Sequence, residues 1–212
     1  MINILIRTSK RPKSFKRLYE SIKKQSSINY KLHISYDNED DLDYLSNYDD
    51  ILLYKMNINE ILSKYTFKER PNTAYTEFPY NLYLNELNNN IDNGWIIYID
   101  DDNYIDDGNF LKKINYIIES NDENTLIFWK YKVGNLIVPS YPISRDNPPI
   151  INNIDTSCIC FNYKWKEYIL WDKWKGSDFR IINKLFNIIP KIQYIDEIFI
   201  KAEQENLGKS EI

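Results

Sequence analysis

The chain has 212 residues, of which 43% are hydrophobic and 27% charged, a composition typical of one well-packed globular domain. Its net charge of -4, without any block of Lys or Arg, argues against a nucleic-acid partner. No apolar run reaches the roughly 18 residues of a membrane span and no signal peptide is evident, so we expect a soluble, unsecreted protein.

The first half of the chain alternates strand and helix. Strands are predicted at residues 2–7, 31–36, 51–54 and 95–99, and a helix at 80–91, from their apolar periodicity. Ser14 is predicted to cap a further helix, which carries Phe15, Leu18 and Ile22 on one face. Strand–helix–strand units of this length predict a parallel sheet with right-handed crossovers.

The second half is less regular. A helical stripe begins at Phe110, strands are predicted at 125–131 and 154–161, and Ser177 is predicted to cap a late helix. Two short strands are predicted at 192–195 and 197–200, and residues from Gln204 onward are expected to fray. No internal repeat or linker is visible, so residues 1–212 are predicted to form a single domain.

The two cysteines and the lone histidine suggest no chemistry of their own. Cys158 and Cys160 alternate along a predicted strand, which argues against a disulfide, and their spacing fits no zinc pattern. A reducing compartment is therefore expected. His33 lies inside a predicted strand and is interpreted as structural.

The most informative segment is the buried strand at 95–99, which runs straight into Asp100, Asp101 and Asp102. Carboxylates buried side by side need a compensating cation, because each uncompensated charge costs several kcal/mol. Oxygen ligands at the end of a buried strand favour a divalent ion such as Mg²⁺ or Mn²⁺. The alternative is a solvated acidic turn, since Asp is common in turns.

The order of motifs resembles that of the family-2-like glycosyltransferases of GT-A fold, over most of the chain. The motifs that carry the resemblance are IRTSKRP, YNLYLNEL, GWIIYIDDDN, IDTSCICF and KGSDF. The pairing of NLYLN with GWI and an acidic triplet is most similar to small bacterial and giant-virus, chlorovirus-type members. The resemblance implies an α/β fold of GT-A type, with a single Rossmann-like, mostly parallel sheet flanked by helices and an irregular acceptor-side second half.

The resemblance also implies roles for the acidic triplet and for the nucleotide end. Asp102, with Asp100, would bind Mn²⁺ or Mg²⁺, whereas Asp101 is expected to point away, to backbone or solvent. The predicted nucleotide-binding set contains Asp100 and Asp101 of the triplet. It also contains residues near the ends of the first two strands and one in the helix before the triplet: Arg7, Thr8, Arg11, Asp37 and Asn81. Ordinary capping and turn formation are the alternative for each of them.

Asp178 is predicted to be the general base of an inverting transfer, because the resembled family places an acid at the start of a late helix. The alternative is that it only complements the helix dipole. Asp155 is a weaker candidate for contacting the donor sugar or the acceptor. Trp171 and Trp174, close to Asp178 in sequence, are predicted to stack against an acceptor sugar, although tryptophans are more often core residues.

The sequence thus predicts a metal-dependent, inverting transferase of a hexose or related sugar, from a nucleotide-sugar donor to a hydroxyl acceptor. UDP is the expected nucleotide, with GDP or dTDP as alternatives, and a glycan or glycoprotein is the expected acceptor. The expected location is the cytoplasm, or the host cytoplasm if the chain is viral. A non-catalytic nucleotide-sugar-binding module and a metal-dependent nucleotidyltransferase are the competing interpretations. The latter is disfavoured because no Gly-rich phosphate loop is evident.

Overall fold

Nine strands form one sheet in the computed structural model, which describes residues 1–67, 69–72, 76–203 and 210–211. The strands are β1 (Ile2–Arg7), β2 (Tyr30–Tyr36), β3 (Ile51–Lys55), β4 (Trp95–Tyr98), β5 (Asn103–Ile105), β6 (Thr125–Val133), β7 (Leu136–Val138), β8 (Ile159–Asn162) and β9 (Lys191–Ala202). The α-helices are α1 (Pro12–Lys23), α2 (Asp41–Leu45), α3 (Ile58–Lys64), α4 (Tyr83–Asn89), α5 (Phe110–Ser120) and α6 (Ser177–Ile188). Short 3₁₀ helices occupy Pro79–Leu82, Thr156–Cys158 and Tyr163–Tyr168.

The sheet is parallel in its first half and mixed in its second. Its order is β3-β2-β1-β4-β8-β6-β9-β5, with β7 paired to β6. The pairs β3–β2, β2–β1 and β1–β4 are parallel, whereas β8 is antiparallel to both β4 and β6. Because β8 runs against β4, the residues just before β8 lie beside those just after β4. This reversal brings Asp155 towards the acidic triplet.

Strand β4 is buried on both faces, as its apolar sequence predicts. Ile96 and Ile97 have no exposed surface, and they belong to a single hydrophobic core that also includes residues of α1, α4, α5 and α6. The helices therefore fix the position of β4, and with it the start of the acidic triplet. No helix in the described ranges is long and apolar enough to cross a membrane.

Several predicted boundaries differ from the structure. Residues 156–158 of the predicted strand 154–161 form a 3₁₀ helix, because Asp155 accepts a hydrogen bond from the Ser157 N–H (2.9 Å) and turns the chain before β8. Cys158 therefore does not alternate with Cys160 along a strand, although both are buried and unpaired. The two predicted C-terminal strands are one strand, β9, whose pairing with β6 is shifted at a bulge. The tail prediction falls mostly outside the described residues.

The predicted cap at Ser14 is wrong, because α1 begins two residues earlier. Pro12 occupies the first turn, and the free N–H groups of Lys13 and Ser14 donate to the carboxylate of Glu211, at 2.6 Å for Lys13. The Ser14 hydroxyl also donates to Glu211. The carboxylate of Glu211, near the C-terminal end of the sequence, thus accepts hydrogen bonds from the free N–H groups at the start of α1. The residues around Ser14 alone give no indication of this contact.

His33 is buried, as its position in a strand predicts. It makes hydrogen bonds through Nδ1 to the Tyr54 hydroxyl (3.0 Å) and through Nε2 to Asn3 Oδ1 (3.1 Å). Burial, followed by the charge of Lys31, lowers the pKa of His33 from 6.5 to about 4. The neutral imidazole is therefore a structural link across β1, β2 and β3.

This lowered pKa predicts a loss of stability in acid. Unfolded His33 gains a proton near pH 6.5 and the folded form only near pH 4, so the free energy of unfolding should fall across that window. The contribution of this residue has a slope of up to about 1.4 kcal/mol per pH unit. Denaturant unfolding of the wild type and of His33→Gln at several pH values measures the contribution of His33. The titration of the carboxylates is common to both proteins and cancels in the difference between their free energies of unfolding. The stability difference between them should shrink as the pH falls, and a constant difference would contradict the assignment.

Candidate active site

A cleft of about 190 Å³ opens at the edge of the sheet where β1 and β4 end. Ligands bind at this edge in open α/β sheets. Its lining includes Arg7, Phe78, Asn81, Asp100, Asp155 and Asp178. Pockets for drug-sized ligands usually have ~300–1,000 Å³, so this cleft holds one part of such a ligand and not the whole molecule. The fold thus brings together three residues predicted for nucleotide binding, Arg7, Asn81 and Asp100, with Asp155 and Asp178, which were predicted for sugar and catalytic contacts.

Arg7 joins the end of β1 to the end of β4. Its Nη2 donates to Asp100 Oδ1 (2.8 Å) and its Nη1 to Asn81 Oδ1 (2.9 Å). Asn81 in turn donates to the Trp174 carbonyl oxygen (3.3 Å). The side chain of Asp100 is 38% exposed, so it can meet a ligand in the cleft. Arg7 places a fixed positive charge beside it.

Arg11 contacts the other two acids of the triplet. Its Nη1 lies 2.6 Å from Asp101 Oδ1 and 3.1 Å from Asp102 Oδ2. Both aspartates are buried, so Asp101 does not point to solvent as expected, and its carboxylate pairs with the side chain of Arg11. Asp101 Oδ2 has no hydrogen-bond partner among the described residues. Burial raises the pKa of Asp101 to about 7, against the lowering effect of Arg11.

Two arginines reach the acidic triplet, since Arg7 pairs with Asp100 and Arg11 with Asp101 and Asp102. Among the residues that the structure describes, no three His, Cys, Asp or Glu side chains are arranged to hold a metal ion. Mg²⁺ often binds through only one or two carboxylates together with substrate phosphates. Asp100 and Asp102 have the donor atoms that such a site requires from the protein.

Asp155 lies before β8 and opens the 3₁₀ helix Thr156–Cys158. One carboxylate oxygen accepts from the Ser157 N–H at 2.9 Å. Burial, followed by the negative charge of Asp100, raises the pKa of Asp155 to about 7. A carboxyl group with a raised pKa accepts hydrogen bonds when ionised and also donates one when protonated, and both forms suit contact with sugar hydroxyls.

Asp178 lies in the first turn of α6 and lines the same cleft as Asp100. Gly176 precedes the helix with φ +78°, a left-handed conformation that suits glycine. Burial raises the pKa of Asp178, as does the charge of Asp100, although the Phe179 N–H and nearby arginines oppose the rise. A carboxylate with a raised pKa is a better proton acceptor, and this is what a general base requires.

The predicted nucleoside residues lie at the ends of β1 and β2. Thr8 is buried, with its hydroxyl 3.0 Å from that of Tyr44. Asp37 Oδ2 accepts from the Tyr83 hydroxyl (3.0 Å), while its buried Oδ1 has no hydrogen-bond partner within the described ranges. An unpaired buried acceptor is costly, so Asp37 Oδ1 is suited to receive a donor group from a ligand.

The two predicted tryptophan platforms are poorly placed for stacking. Trp171 is 2% exposed and packs edge-to-face against Tyr98, so only a small part of it reaches the cleft. Trp174 is half-buried, and the ammonium of Lys173 lies 5.1 Å from its ring centroid. Phe78, by contrast, is 45% exposed and lines the cleft. Sequence reasoning missed Phe78, which carries no local signal beyond an aromatic residue before Pro79.

Comparison with solved structures shows the same fold in S. aureus TarS. The match to TarS residues 1–349 has a TM-score of 0.72 at 15% identity, covering 95% of this chain and 60% of that one. The match to the same fragment in complex with UDP-GlcNAc has a TM-score of 0.71 at 15% identity, covering 99% and 60%. Against a longer TarS chain the TM-score is 0.71 at 13% identity, and the chain spans 36% of its length.

No family model and no curated protein matches the chain. At 13–15% identity, the structural similarity establishes the fold and not the activity. It confirms the predicted fold class, a mixed α/β domain of GT-A type with helices around a curled sheet. The specific likeness to chlorovirus-type enzymes stays a prediction.

Proposed function

We propose that the protein is a glycosyltransferase that moves a sugar from a nucleotide-diphosphate donor, UDP-linked by preference, to a hydroxyl group of a glycan or glycoprotein. One observation carries the proposal: Asp100 of the acidic triplet and Asp178 of α6, far apart in sequence, line one cleft at the ligand-binding edge of the sheet. The fold is shared with a protein crystallised with UDP-GlcNAc and with UDP, which supports a UDP-sugar as donor.

The proposed reaction is a single displacement with inversion. Asp178 accepts the proton of the acceptor hydroxyl, whose oxygen then attacks the anomeric carbon of the donor sugar. The bond from that carbon to the diphosphate oxygen breaks, and the nucleoside diphosphate leaves. Arg7, fixed beside Asp100 at 2.8 Å, lies where it can offset the negative charge that develops on the leaving group.

The donor is proposed to lie along the edge of the sheet. The base and ribose lie near Asp37 and Thr8. Asp37 Oδ1, which has no hydrogen-bond partner among the described residues, accepts a hydrogen bond from the nucleoside. The diphosphate lies by the triplet, and the sugar enters the cleft, where Asp155 contacts its hydroxyls. Asn81 holds Arg7 in position through the 2.9 Å hydrogen bond.

Asp102 and Asp100 are proposed to hold Mn²⁺ or Mg²⁺ together with the diphosphate. The ion would supply charge stabilisation for the leaving group. This assignment requires Arg11 to share or release Asp102 Oδ2, which it contacts at 3.1 Å. Metal affinity should therefore be low without nucleotide.

A thermal-shift screen of UDP, GDP, dTDP and UDP-GlcNAc, each with and without Mn²⁺, tests the proposed function. A ligand at 100 times its Kd stabilises the folded state by about 2.7 kcal/mol. For a domain of this size, this raises the melting temperature by about 5–10 °C. We expect UDP compounds with Mn²⁺ to give the largest rise. No shift with any nucleotide would contradict the proposal.

The metal assignment gives a separate prediction for Asp102→Asn. This variant should lose the part of the UDP-induced shift that depends on Mn²⁺, because an amide is a much weaker ligand for a hard cation than a carboxylate. Its melting temperature without ligand should stay close to that of the wild type, because Asp101 keeps its pairing with Arg11. Glu60→Gln, on the exposed face of α3, is the matched control. Wild-type Mn²⁺ dependence in Asp102→Asn would contradict the assignment.

The competing nucleotidyltransferase and binding-module interpretations predict different products. A nucleotidyltransferase would release pyrophosphate from a nucleoside triphosphate, and a binding module would give no turnover. Incubation with UDP-GlcNAc, followed by chromatographic detection of UDP, separates these outcomes. We expect UDP release, by transfer or by slow hydrolysis.

A further inference from the structure

Phe78 is held in place by a short antiparallel ribbon next to the start of α6. Its N–H donates to the Lys173 carbonyl oxygen (2.6 Å), and the Lys175 N–H donates to the Thr76 carbonyl oxygen (2.9 Å). Glu77 pairs with Trp174 in an isolated bridge and its carboxylate lies 3.1 Å from the Lys173 ammonium. These contacts fix the backbone of Phe78 on the chain segment that leads into Gly176 and Asp178.

The ribbon ties Phe78 to the segment that leads to Asp178, and all three elements that meet here contribute to one cleft. Asn81, three residues after Phe78, holds Arg7, so Phe78 lies on the chain between the ribbon and the residue that positions the arginine. Arg7 and the acidic triplet are the groups proposed for the donor diphosphate. Phe78 is uncharged and has no role in that part of the proposal, which leaves its ring available to the acceptor.

Phe78 is an aromatic side chain in a cleft that also contains the carboxyl groups of Asp155 and Asp178. Phe78 is 45% exposed, although its cleft is otherwise lined largely by polar groups. The free energy of the system falls when another apolar surface covers an aromatic ring that is exposed to water. A pyranose offers such a surface, because one face carries C–H groups that suit the negative face of an aromatic ring. Its hydroxyls lie around the rim, where Asp155 and Asp178 can accept hydrogen bonds.

We propose that Phe78 is the platform on which a pyranose ring of the acceptor stacks, so that the attacking hydroxyl points towards Asp178. The inference rests on the proposed function and deepens it, since it assigns the acceptor class: a carbohydrate with one exposed C–H face. Phe78 acts as a positioning and specificity residue and transfers no proton itself.

The test follows phenylalanine ring signals by NMR in protein saturated with UDP and Mg²⁺, which is diamagnetic and does not broaden nearby signals, titrated with methyl pyranosides of glucose, galactose, mannose and N-acetylglucosamine. The Phe78 signals are assigned by their loss in Phe78→Ala. We expect at least one pyranoside to shift them saturably. Phe78→Ala should weaken that binding by about three- to tenfold, the range of an aromatic contact, whereas Phe78→Tyr, which keeps the ring, should retain it.

Two controls separate stacking from a structural effect. Tyr116→Ala removes an aromatic residue that is 71% exposed on α5, and it should change neither pyranoside nor UDP binding. The UDP-induced rise in melting temperature should also be unchanged in Phe78→Ala. Equal loss of UDP and pyranoside binding in that variant would overturn the inference, because it would indicate a disturbed ribbon.

The failure of this inference is distinguishable from that of the proposed function. If the wild type shows no UDP-induced shift, the proposed function fails, and the assignment of Phe78 fails with it. If UDP binds but no pyranoside moves the Phe78 signals, or if Phe78→Ala binds the pyranoside as tightly as the wild type, only the acceptor platform is wrong.

Discussion

Replacing Asp178 with Asn is expected to lower turnover by about 10²–10⁴-fold, the usual effect of removing a general base. The amide has nearly the same shape but cannot accept the proton of the acceptor hydroxyl. Donor affinity should stay close to that of the wild type, because the groups proposed for the diphosphate are Arg7, Asp100 and Asp102. Initial rates of UDP release and the Kd for UDP, measured on the same preparations, check both parts.

The pH profile gives an independent readout of this role. The base must be ionised, and burial raises the pKa of Asp178 above its ordinary value of 3.8. The wild-type rate should therefore fall as the pH drops through a pKa higher than that of an exposed carboxyl group. Asp178→Asn should lose this acidic limb, whereas a variant that only removed a helix-dipole contact would keep it.

Asp155→Asn is the matched control, because Asp155 lines the same cleft and is also a half-buried carboxyl group with a raised pKa. We expect a smaller loss of turnover in this variant, since an amide still makes hydrogen bonds to sugar hydroxyls. If Asp155→Asn loses more turnover than Asp178→Asn, the two roles are exchanged. Equal loss of turnover and UDP affinity in Asp178→Asn would indicate a structural role, and a product with retained anomeric configuration would rule out single displacement.

Replacing Arg11 with Ala is expected to destabilise the fold by about 3–5 kcal/mol, the usual effect of removing one partner of a buried ion pair. Asp101 is 3% exposed, and Arg11 is the cation that contacts it, at 2.6 Å. Without the guanidinium, Asp101 must either keep an unpaired charge next to Asp102 or take up a proton, and either outcome costs free energy in the folded state at pH 8. Denaturant unfolding at pH 8 measures this effect, in a chelating buffer so that no metal ion replaces the arginine.

A double variant and a surface control isolate the cause. Arg11→Ala combined with Asp101→Asn should recover part of the lost stability, because the buried charge is gone. Lys16→Ala removes an exposed pair with Glu20 on the same helix, and it should change the free energy of unfolding by less than about 0.5 kcal/mol. If Arg11→Ala is as stable as Lys16→Ala, the acidic triplet does not depend on Arg11 for its charge balance.

Local sequence was enough to predict the central strand and the acids that follow it. The apolar run from Trp95 and the turn into Asp100 need only neighbouring residues, and the structure has both as predicted. The start of α6 was readable to within one residue. Ser177, predicted as the cap, is the first residue of the helix, and its hydroxyl accepts from the Asp172 N–H (3.1 Å), while Gly176 takes the cap position. Resemblance of motif order then predicted the fold class, which the TarS comparison confirms.

The sequence did not predict which side chains these residues contact. Apolar periodicity indicates helices and strands, but it carries no information about contacts between segments that are far apart in the chain. The sequence did not reveal that Arg7, at the end of β1, and Arg11, just before α1, pair with the acids of the triplet. The metal ion at this triplet stays a prediction. Asp155 lies in the cleft because β8 runs antiparallel to β4. Phe78 lies there because its segment pairs with the one around Trp174. Trp171, by contrast, is buried. The sequence by itself determined which residues lie at the end of each helix and strand. Secondary-structure propensity and the apolar pattern of a segment depend on residues that are close together in the chain. Only the tertiary structure decided which side chains share a cleft and which cation balances which acid, since both depend on the order and direction of strands that the chain joins over long separations.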